Sequence, residues 1–485
     1  MDRRTVSLAA LCLVATSLVA CGGGGGRGGA STAAAVTSGA PAGVTSSTGA
    51  AAGSGSVVAA PGPPAGRWWQ GDLHSHSAPY SQDADRQGGD RPGTCFYLAE
   101  VAGLDFLAMT DHRTLDQVND PSYHANTLTI LDGEEWGGAV HFGMVGLSRV
   151  VPELDGSRGA ATLNGQLQAA FDECHRQGGI VISNHPLQRG SENVWLSADF
   201  DAVEVWNSYW TGIPKQIFDS SDQDVDDKLR GQGLAAIGED CRPELREAVR
   251  HRGGGGNYQA LKYWEGFLNR GMKKAIVGGG DRHMLVFPGL PTTRVFAPDQ
   301  SRDALLRGVR EARTWVGSWN GPEVEFTADA DGDGVYESII GDSVPLGVAV
   351  RYRLRVRNAV NGRVDVVRNG QTTLQFAILT QDDTYDWTDT ATSRTWTRVD
   401  VFERVDWNRP QGQSFQLLAL TGQLFGGTTG PQALATLATP LGFQVSVGTR
   451  IPTIRLPHEY DVILNLSRIH WGFARGAITS PIWAE

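Results

Sequence analysis

Between Arg67 and Val277 the chain alternates short apolar runs with longer amphipathic stretches, and each run leads into His, Asp, Glu or Asn. Arg67–Gln70 leads into Gly71-Asp72-Leu73-His74-Ser75-His76, Leu104–Met109 into Asp111-His112, and Thr127–Leu131 into Glu134-Glu135. Gly179–Ser183 leads into His185-Pro186, Ala202–Trp206 into Asn207, and Lys274–Val277, through three glycines, into Asp281-Arg282-His283. His141 instead opens its run (His141–Val145), and reaches the same rim only if that run turns back antiparallel on the one before. Helical periodicity appears at Phe96–Leu104, Leu163–Gln177, Tyr263–Arg270 and, after a Ser301 cap, Asp303–Arg313. Strand-length runs separated by helices predict an α/β fold, with a parallel sheet or barrel whose site lies at the carboxyl ends of its strands. The polar groups closing the runs are then expected to converge in space.

Beyond Trp319 the pattern changes. Val348–Val356 alternates apolar and polar, Gly362–Val367 continues in extended character, and Asn361-Gly362 and Asn369-Gly370 are hairpin signals between and after them. Trp396–Val405, Phe415–Leu420 and Val462–Ile469 also read as extended, so an antiparallel, sandwich-like β domain is expected. Asp329-Ala330-Asp331-Gly332-Asp333-Gly334 has the D-x-D-x-D-G spacing of a calcium loop, with Glu337 as a further oxygen. Position twelve of such a loop is Ile340 rather than Glu and the flanks read as strands, so an acidic β-turn is the alternative. Thr211–Asn257, rich in Asp and Gly, reads as a rim insertion. With Trp195, Trp206, Tyr209 and Trp210 it would wall a pocket for a ring-bearing group, or simply pack.

The first residues add an address. Arg3 and Arg4 precede an apolar core from Val6 to Ala20, too short for a lasting membrane span. Leu18-Val19-Ala20-Cys21 resembles a bacterial lipobox, which implies cleavage before Cys21 and lipidation of that cysteine. Residues 22–66 are Gly, Ala, Ser, Thr, Pro and Val with Arg27 as the only charge before Gly66, a tether with a reach of roughly 35–40 Å. The expected organisation is a signal peptide (1–20), a tether (21–66), a catalytic domain (67–320) and a β-rich domain (321–485), held at the bacterial cell envelope through lipid alone, on the periplasmic or surface face of the outer membrane.

The chain has 485 residues, enough for two full cores after the leader and tether. A formal net charge of −11 and the lack of a basic run argue against a nucleic-acid surface. Of five cysteines, Cys12 belongs to the leader and Cys21 to the lipid, leaving Cys95, Cys174 and Cys241 for at most one disulfide of undetermined pairing. The sequence assigns no oligomeric state.

Six of the eleven histidines (His74, His76, His112, His141, His185, His283) lie at the run edges. Imidazoles and carboxylates without thiolate suit Zn, Mn or Fe(II). A carboxylate bridging two ions about 3.5–4 Å apart leaves room for a bridging hydroxide, since such ions lower the pKa of water from 15.7 to roughly 7. A phosphate ester or a carbamate or carboxyl ester would react there. Asp111 or Glu204 would relay protons or support a metal-bound histidine, and Arg282 would bind a substrate anion or form an outward salt bridge.

The stretches Asp72-Leu73-His74-Ser75-His76-Ser77, Thr110-Asp111-His112, Gly133-Glu134-Glu135, His141, Asn184-His185-Pro186 and Gly280-Asp281-Arg282-His283 resemble, in this order, the polymerase-and-histidinol-phosphatase (PHP) superfamily of metal-dependent hydrolases and its CehA/McbA-like branch. Ile478–Trp483 is similar to the closing stretch of that branch. The resemblance implies a distorted (β/α)7 TIM-like barrel followed by the β domain, with two or three divalent ions at its rim. One ion would take His74, His76, Glu135 and Asp281; a second would share Glu135 and add His141 and His185. A third would take His112, His283 and an acidic residue from a lengthened loop, Asp83 or failing that Asp85. Glu135 rather than Glu134 is the implied bridge, with Asp281, Asp111 and Arg282 beside it as catalytic candidates. The implied activity is that of an exported hydrolase of small-molecule esters, a phosphoesterase first and a carbamate or carboxyl-ester hydrolase second. The alternative of another class is a non-catalytic surface binding protein.

Overall fold

The computed structural model describes residues 64–137, 141–153, 160–186, 199–207, 256–283, 288–289, 291–317, 321–404, 444–446, 453–455 and 473–485. All belong to one compact unit, Pro61–Glu485. The leader, Cys21 and nearly all of the tether, Trp195, Tyr209, Trp210 and most of the rim insertion, and the runs Phe415–Leu420 and Val462–Ile469 lie outside them. No helix among the described residues is long and apolar enough to cross a membrane.

Seven strands follow the apolar runs: β1 (Arg67–Asp72), β2 (Phe106–His112), β3 (Thr129–Trp136), β4 (Phe142–Val145), β5 (Ile180–Ser183), β6 (Ala202–Asn207) and β7 (Ala275–Gly279). They lie side by side in chain order within a 15-stranded sheet. β1–β3 are mutually parallel, as are β5–β7, and β4 runs antiparallel to both β3 and β5. The sheet curls until the chain past β7 meets the chain past β1. There Asp281 N donates to His74 O at 2.9 Å and His76 N to Arg282 O at 2.8 Å, with Ser75 opposite Arg282 in a parallel bridge. The fold is therefore mixed α/β on a curled sheet. The strict alternation of a (β/α)7 barrel is broken at β3–β4, where the chain reverses too quickly for a helix.

The helices Pro92–Val101, Ala160–Arg176, Gly256–Asn269 and Arg302–Arg310 occupy the amphipathic stretches. The first starts four residues before the periodic signal because Pro92 opens it, its missing N–H costing nothing in a first turn. Ser301 caps the last by accepting from Ala304 N. The five-residue helix Gln82–Arg86 was not legible from periodicity.

Both faces of the inner strands are covered, and period two sorts their residues. Phe106 and Ala108 of β2 join the inner core with Leu131, Ile180, Ile182, Ala202, Ala275 and Val277. Leu107 and Met109 face outward to Cys95, Phe96 and Ala99 of the first helix. Continuing the inner row along each strand reaches His112, Glu135, Asn184, Glu204 and Asp281. Asp111 and Glu134 fall on the other row.

The remaining strands are β8 (Thr292–Ala297), β9 (Thr314–Gly317), β10 (Glu323–Asp329), β11 (Ser338–Ile339), β12 (Ser343–Val344), β13 (Val350–Arg357), β14 (Arg363–Arg368), β15 (Gln371–Ala377), β16 (Asp382–Asp389), β17 (Thr395–Arg404), β18 (Gln444–Ser446), β19 (Thr453–Arg455), β20 (Phe473–Thr479) and β21 (Ile482–Ala484). The long sheet passes from β1 through β8 and β9 to β20, β17, β21 and β12, while β11, β10, β13 and β16 form a second sheet. Val324, Phe326, Tyr352 and Leu354 of the second sheet share a core with Val364, Val399 and Ile482 of the first. Asn369-Gly370 makes the expected two-residue hairpin, with Arg368 opposite Gln371 and φ of 48° and 82°. Asn361-Gly362 does not: β13 pairs with β10 and β16, and β14 with β15 and β17, so the chain changes sheets there. Turn chemistry marks a reversal but does not choose the partner strand.

Candidate metal centre

Glu135, at the end of β3, lies at the middle of the rim. Its Oε1 is 3.3 Å from His74 Nε2, 3.1 Å from His141 Nδ1 and 2.9 Å from His185 Nε2, and its Oε2 is 3.4 Å from His76 Nε2 and 3.2 Å from His112 Nδ1. Asp281 Oδ1 adds contacts of 3.4 Å to His74 Nε2 and 3.3 Å to His76 Nε2. His74 Nε2 and His76 Nε2 are themselves 3.1 Å apart.

Protonation of these rings follows from their outward nitrogens. His74 Nδ1 meets Glu204 Oε1 at 3.0 Å, and a carboxylate only accepts, so Nδ1 holds the proton and Nε2 turns its lone pair inward. His76 Nδ1 reaches Ser81 Oγ at 2.9 Å, a hydroxyl that itself hydrogen-bonds Asp111. His283 Nδ1 donates to Asp281 O at 2.8 Å, leaving Nε2 facing Asp83 Oδ2 at 2.9 Å. With both rings neutral, two imidazole lone pairs and two carboxylates share one buried point, and the Asn184 and Asn207 amides that reach Glu135 and Asp281 are too few to satisfy them all. A cation does. An ion with ligands at 2.0–2.1 Å in a tetrahedron sets them about 3.3–3.4 Å apart, close to the separations here.

The electrostatics agree. Burial opposes charge on every group, yet Asp281 and Glu135 push His76 up to about 10 and, with Glu204, hold His74 well above the usual imidazole range. Glu135 is held well below the carboxylate range, against burial, by His141, His74 and His112. Protons are drawn there because the centre is short of positive charge, which a divalent ion would supply.

The structure brings the proposed residues into three adjoining groups. His74, His76, Glu135 and Asp281 form one, fully buried. His141 and His185 meet on Glu135 Oε1, because β4 turns back and sets the start of its run beside the end of β3. Asp83 Oδ2 lies 2.9 Å from both His112 Nε2 and His283 Nε2, with His76 adjacent, whereas Asp85 is exposed. Glu134 turns to the outer row, where its Oε1 accepts from Val151 N at 2.7 Å and burial pushes its carboxyl up to about 7.

Other assignments change. Asp111, pushed up to about 6 by burial, accepts from Ser77 N and Ser77 Oγ, both at 2.6 Å, and so anchors the first motif. Arg282 is neither directed at the centre nor outward, but buried against Asp90. Glu204 binds His74 through Oε1, and through Oε2 accepts from His185 N at 2.7 Å and Asn207 Nδ2 at 3.0 Å. Asn207 also reaches Asp281 Oδ2 at 3.3 Å. Asp72 accepts from His74 N, Gly280 N and Gly289 N at 2.8–3.2 Å, joining both ends of the curl. His185 and Asp281 hold φ of 26° and 47°, a region that non-glycine residues keep only where their surroundings dictate it. Ser81 and Asp90 had no distinguishing signal; Asn207 closed an apolar run, and Asp72 and Asn184 stood within the motifs.

The acidic loop Asp329–Glu337 connects β10 to β11. Asp329, Asp331 and Asp333 each offer an oxygen within 4.8 Å of the others, but Asp331 and Asp333 are exposed. Asp329 accepts from Gly332 N and Gly334 N, and Glu337 from Ala330 N, so the carboxylates already serve the turn. Cys95 and Cys174 are free and buried, and Cys241 lies outside the described residues.

No protein-family profile matches the chain, and no curated protein matches it. Among solved structures, a two-domain protein from Bacteroides vulgatus, described as containing a predicted PHP-like metal-dependent phosphoesterase, is similar at 14% identity, over 70% of this chain and 93% of that one, with a TM-score of 0.33. PsfC from Pseudomonas syringae is similar at 16% identity, over 50% of this chain and 87% of that one, with a TM-score of 0.30. At these TM-scores neither likeness decides the fold or the chemistry.

Proposed function

We propose that this chain is a metal-dependent hydrolase of small-molecule esters, a phosphoesterase, with up to three divalent ions held by His74, His76, Glu135 and Asp281, by Glu135, His141 and His185, and by Asp83, His112 and His283. The observation that carries the reading is the buried group of four acceptors around one point, His74 Nε2, His76 Nε2, Glu135 and Asp281, with the two imidazole nitrogens 3.1 Å apart and each 3.3–3.4 Å from both carboxylates. Ions bound there supply Lewis acidity and bring the pKa of water to about 7. The protein's own part is orientation. Glu204 and Ser81 hold the His74 and His76 tautomers, Asn184 donates to Glu135 Oε1 at 3.1 Å, and Asn207 steadies Asp281. Burial of these groups keeps competing water out and strengthens every charge interaction inside. Zn, Mn and Fe(II) all suit the donors. The lipobox-like stretch adds that the enzyme is exported and anchored through Cys21 in the cell envelope.

Elemental analysis of the soluble chain from Gly66 onward, with phosphodiester, phosphomonoester and aryl-ester substrates offered to the same preparation, tests this. Two or three ions per chain and phosphoester hydrolysis that is lost on chelation are expected. Fewer than one ion under metal-replete conditions overturns the reading, and hydrolysis of the aryl ester alone moves it to carboxyl esters.

A further inference from the structure

Arg282 stands in the chain between two residues that face the centre, yet its side chain leaves it. The guanidinium is 0% exposed, is ion-paired with Asp90, and sets Nη1 2.9 Å from Cys95 Sγ. Asp90 closes the loop that carries Asp83. Ala78 N donates to Asp90 O at 2.8 Å, which pinches the loop at its base, and Asp111 holds Ser77 just before it. Within the loop, Ser81 Oγ lies 2.9 Å from both His76 Nδ1 and His112 N. Asp83 then reaches His112 and His283 from a five-residue helix with 41% of its side chain exposed. That carboxylate is partly open to solvent, so its place depends on how the loop is held, through buried Ala84 and through the ties at the loop's base.

We propose that the Arg282–Asp90 ion pair is the positioning element of the third ion position, clamping the loop so that Asp83 stays between His112 and His283. The inference rests on the metal-centre reading above. A guanidinium taken wholly out of water is bound to its carboxylate, since an uncompensated buried charge is strongly destabilising. The backbone of Arg282 also accepts from His76 N, and its neighbours are Asp281 and His283. The loop is thereby referred to the same backbone that sets the other ligands. Arg282 touches none of the reacting atoms. Lysine in its place keeps a charge but not the planar fork that meets Asp90 and Cys95 together.

The test is manganese binding to the soluble chain, by calorimetry and by elemental analysis after desalting, for wild type, Asp90→Asn, Arg282→Lys and Asp83→Asn. Wild type is expected to take three ions. Asp90→Asn and Arg282→Lys should weaken one of them by about 10–100-fold, the range for partners that orient ligands, and Asp83→Asn should lose the same ion. The two retained ions show that the variants are folded at the centre, and Asp90→Glu should partly restore the third. Three ions at wild-type affinity in Asp90→Asn and Arg282→Lys, or only two in wild type, overturn the inference. No bound ion in wild type overturns the metal-centre reading instead. Wild type alone gives a second reading should the variants not fold. Raising manganese from two to three equivalents should slow amide exchange at residues 77–90, and unchanged exchange there overturns the clamp.

Discussion

Two regions of this chain offer carboxylates at metal-ligand spacing, and they behave oppositely. In the acidic loop Asp329–Glu337 the carboxylates are close in sequence, Asp331 and Asp333 are exposed, and buried Asp329 is occupied by amides of its own turn. In the central rim group, His74, His76, Glu135 and Asp281 come from places far apart in sequence, are buried, and converge on one point, with His74 Nδ1 already bound on its outward side. Spacing along the chain is thus weak evidence for a metal site. Buried acceptors that converge on one point are stronger evidence, since gathering them there without a positive charge is costly.

Asp281→Ala should have the largest effect of any change that tests this contrast. It removes an acceptor from the buried group, so metal affinity should fall by more than the ~100-fold that marks the upper range for an orienting partner, with hydrolysis lost in parallel. Retained metal content by elemental analysis would break the contrast. Glu204→Ala frees His74 Nδ1 and the His185 amide, and should weaken metal binding by about 10–100-fold with the fold intact. Calorimetry of Glu204→Gln, which still accepts from His74, should fall between that variant and wild type.

Gly279→Ala probes the same region sterically. A Cβ there would lie 2.4 Å from His74 Cβ and 2.6 Å from Glu204 Oε1, so denaturant unfolding should show a loss of about 1–3 kcal/mol, along with weaker metal binding. The smallest effect is expected in the acidic loop. Asp333→Asn should change stability by no more than about 0.5 kcal/mol. Calcium at about 1 mM, the weak end of protein calcium sites, should leave the melting temperature of wild type unchanged. A calcium-dependent rise that Asp333→Asn abolishes would make the two regions alike.

The rim was legible from the run endings, and on β2, β3 and β7 period two carries over from packing to chemistry. The residues that continue the inner rows of Phe106-Ala108, Leu131 and Ala275-Val277 are His112, Glu135 and Asp281, and the same parity separates Glu135 from Glu134. Asp111 lies on the outer row for that reason. Asp90 and Ser81 were not legible, since they act through contacts distant in the chain that leave no periodic trace, and Asn207 was legible only as a run ending. Arg282 was misplaced because its neighbours in the chain face the centre, while its own side chain follows the opposite side of the backbone.

The sequence by itself determined the elements and their inner faces: apolar runs of strand length, helices opened by Pro92 or Ser301, the Asn369-Gly370 turn, and a histidine, carboxylate or asparagine at or just past the end of each run. These are local properties of backbone and periodicity. Only the tertiary structure decided that β4 reverses to bring His141 to Glu135, that the curl closes between His74–His76 and Asp281–Arg282, and that β13 and β14 belong to different sheets. It also decided that Asp83 rather than Asp85 faces His112 and His283. Those outcomes depend on which distant groups meet, and meeting is set by how the whole sheet packs and curls, which no stretch of the chain encodes alone.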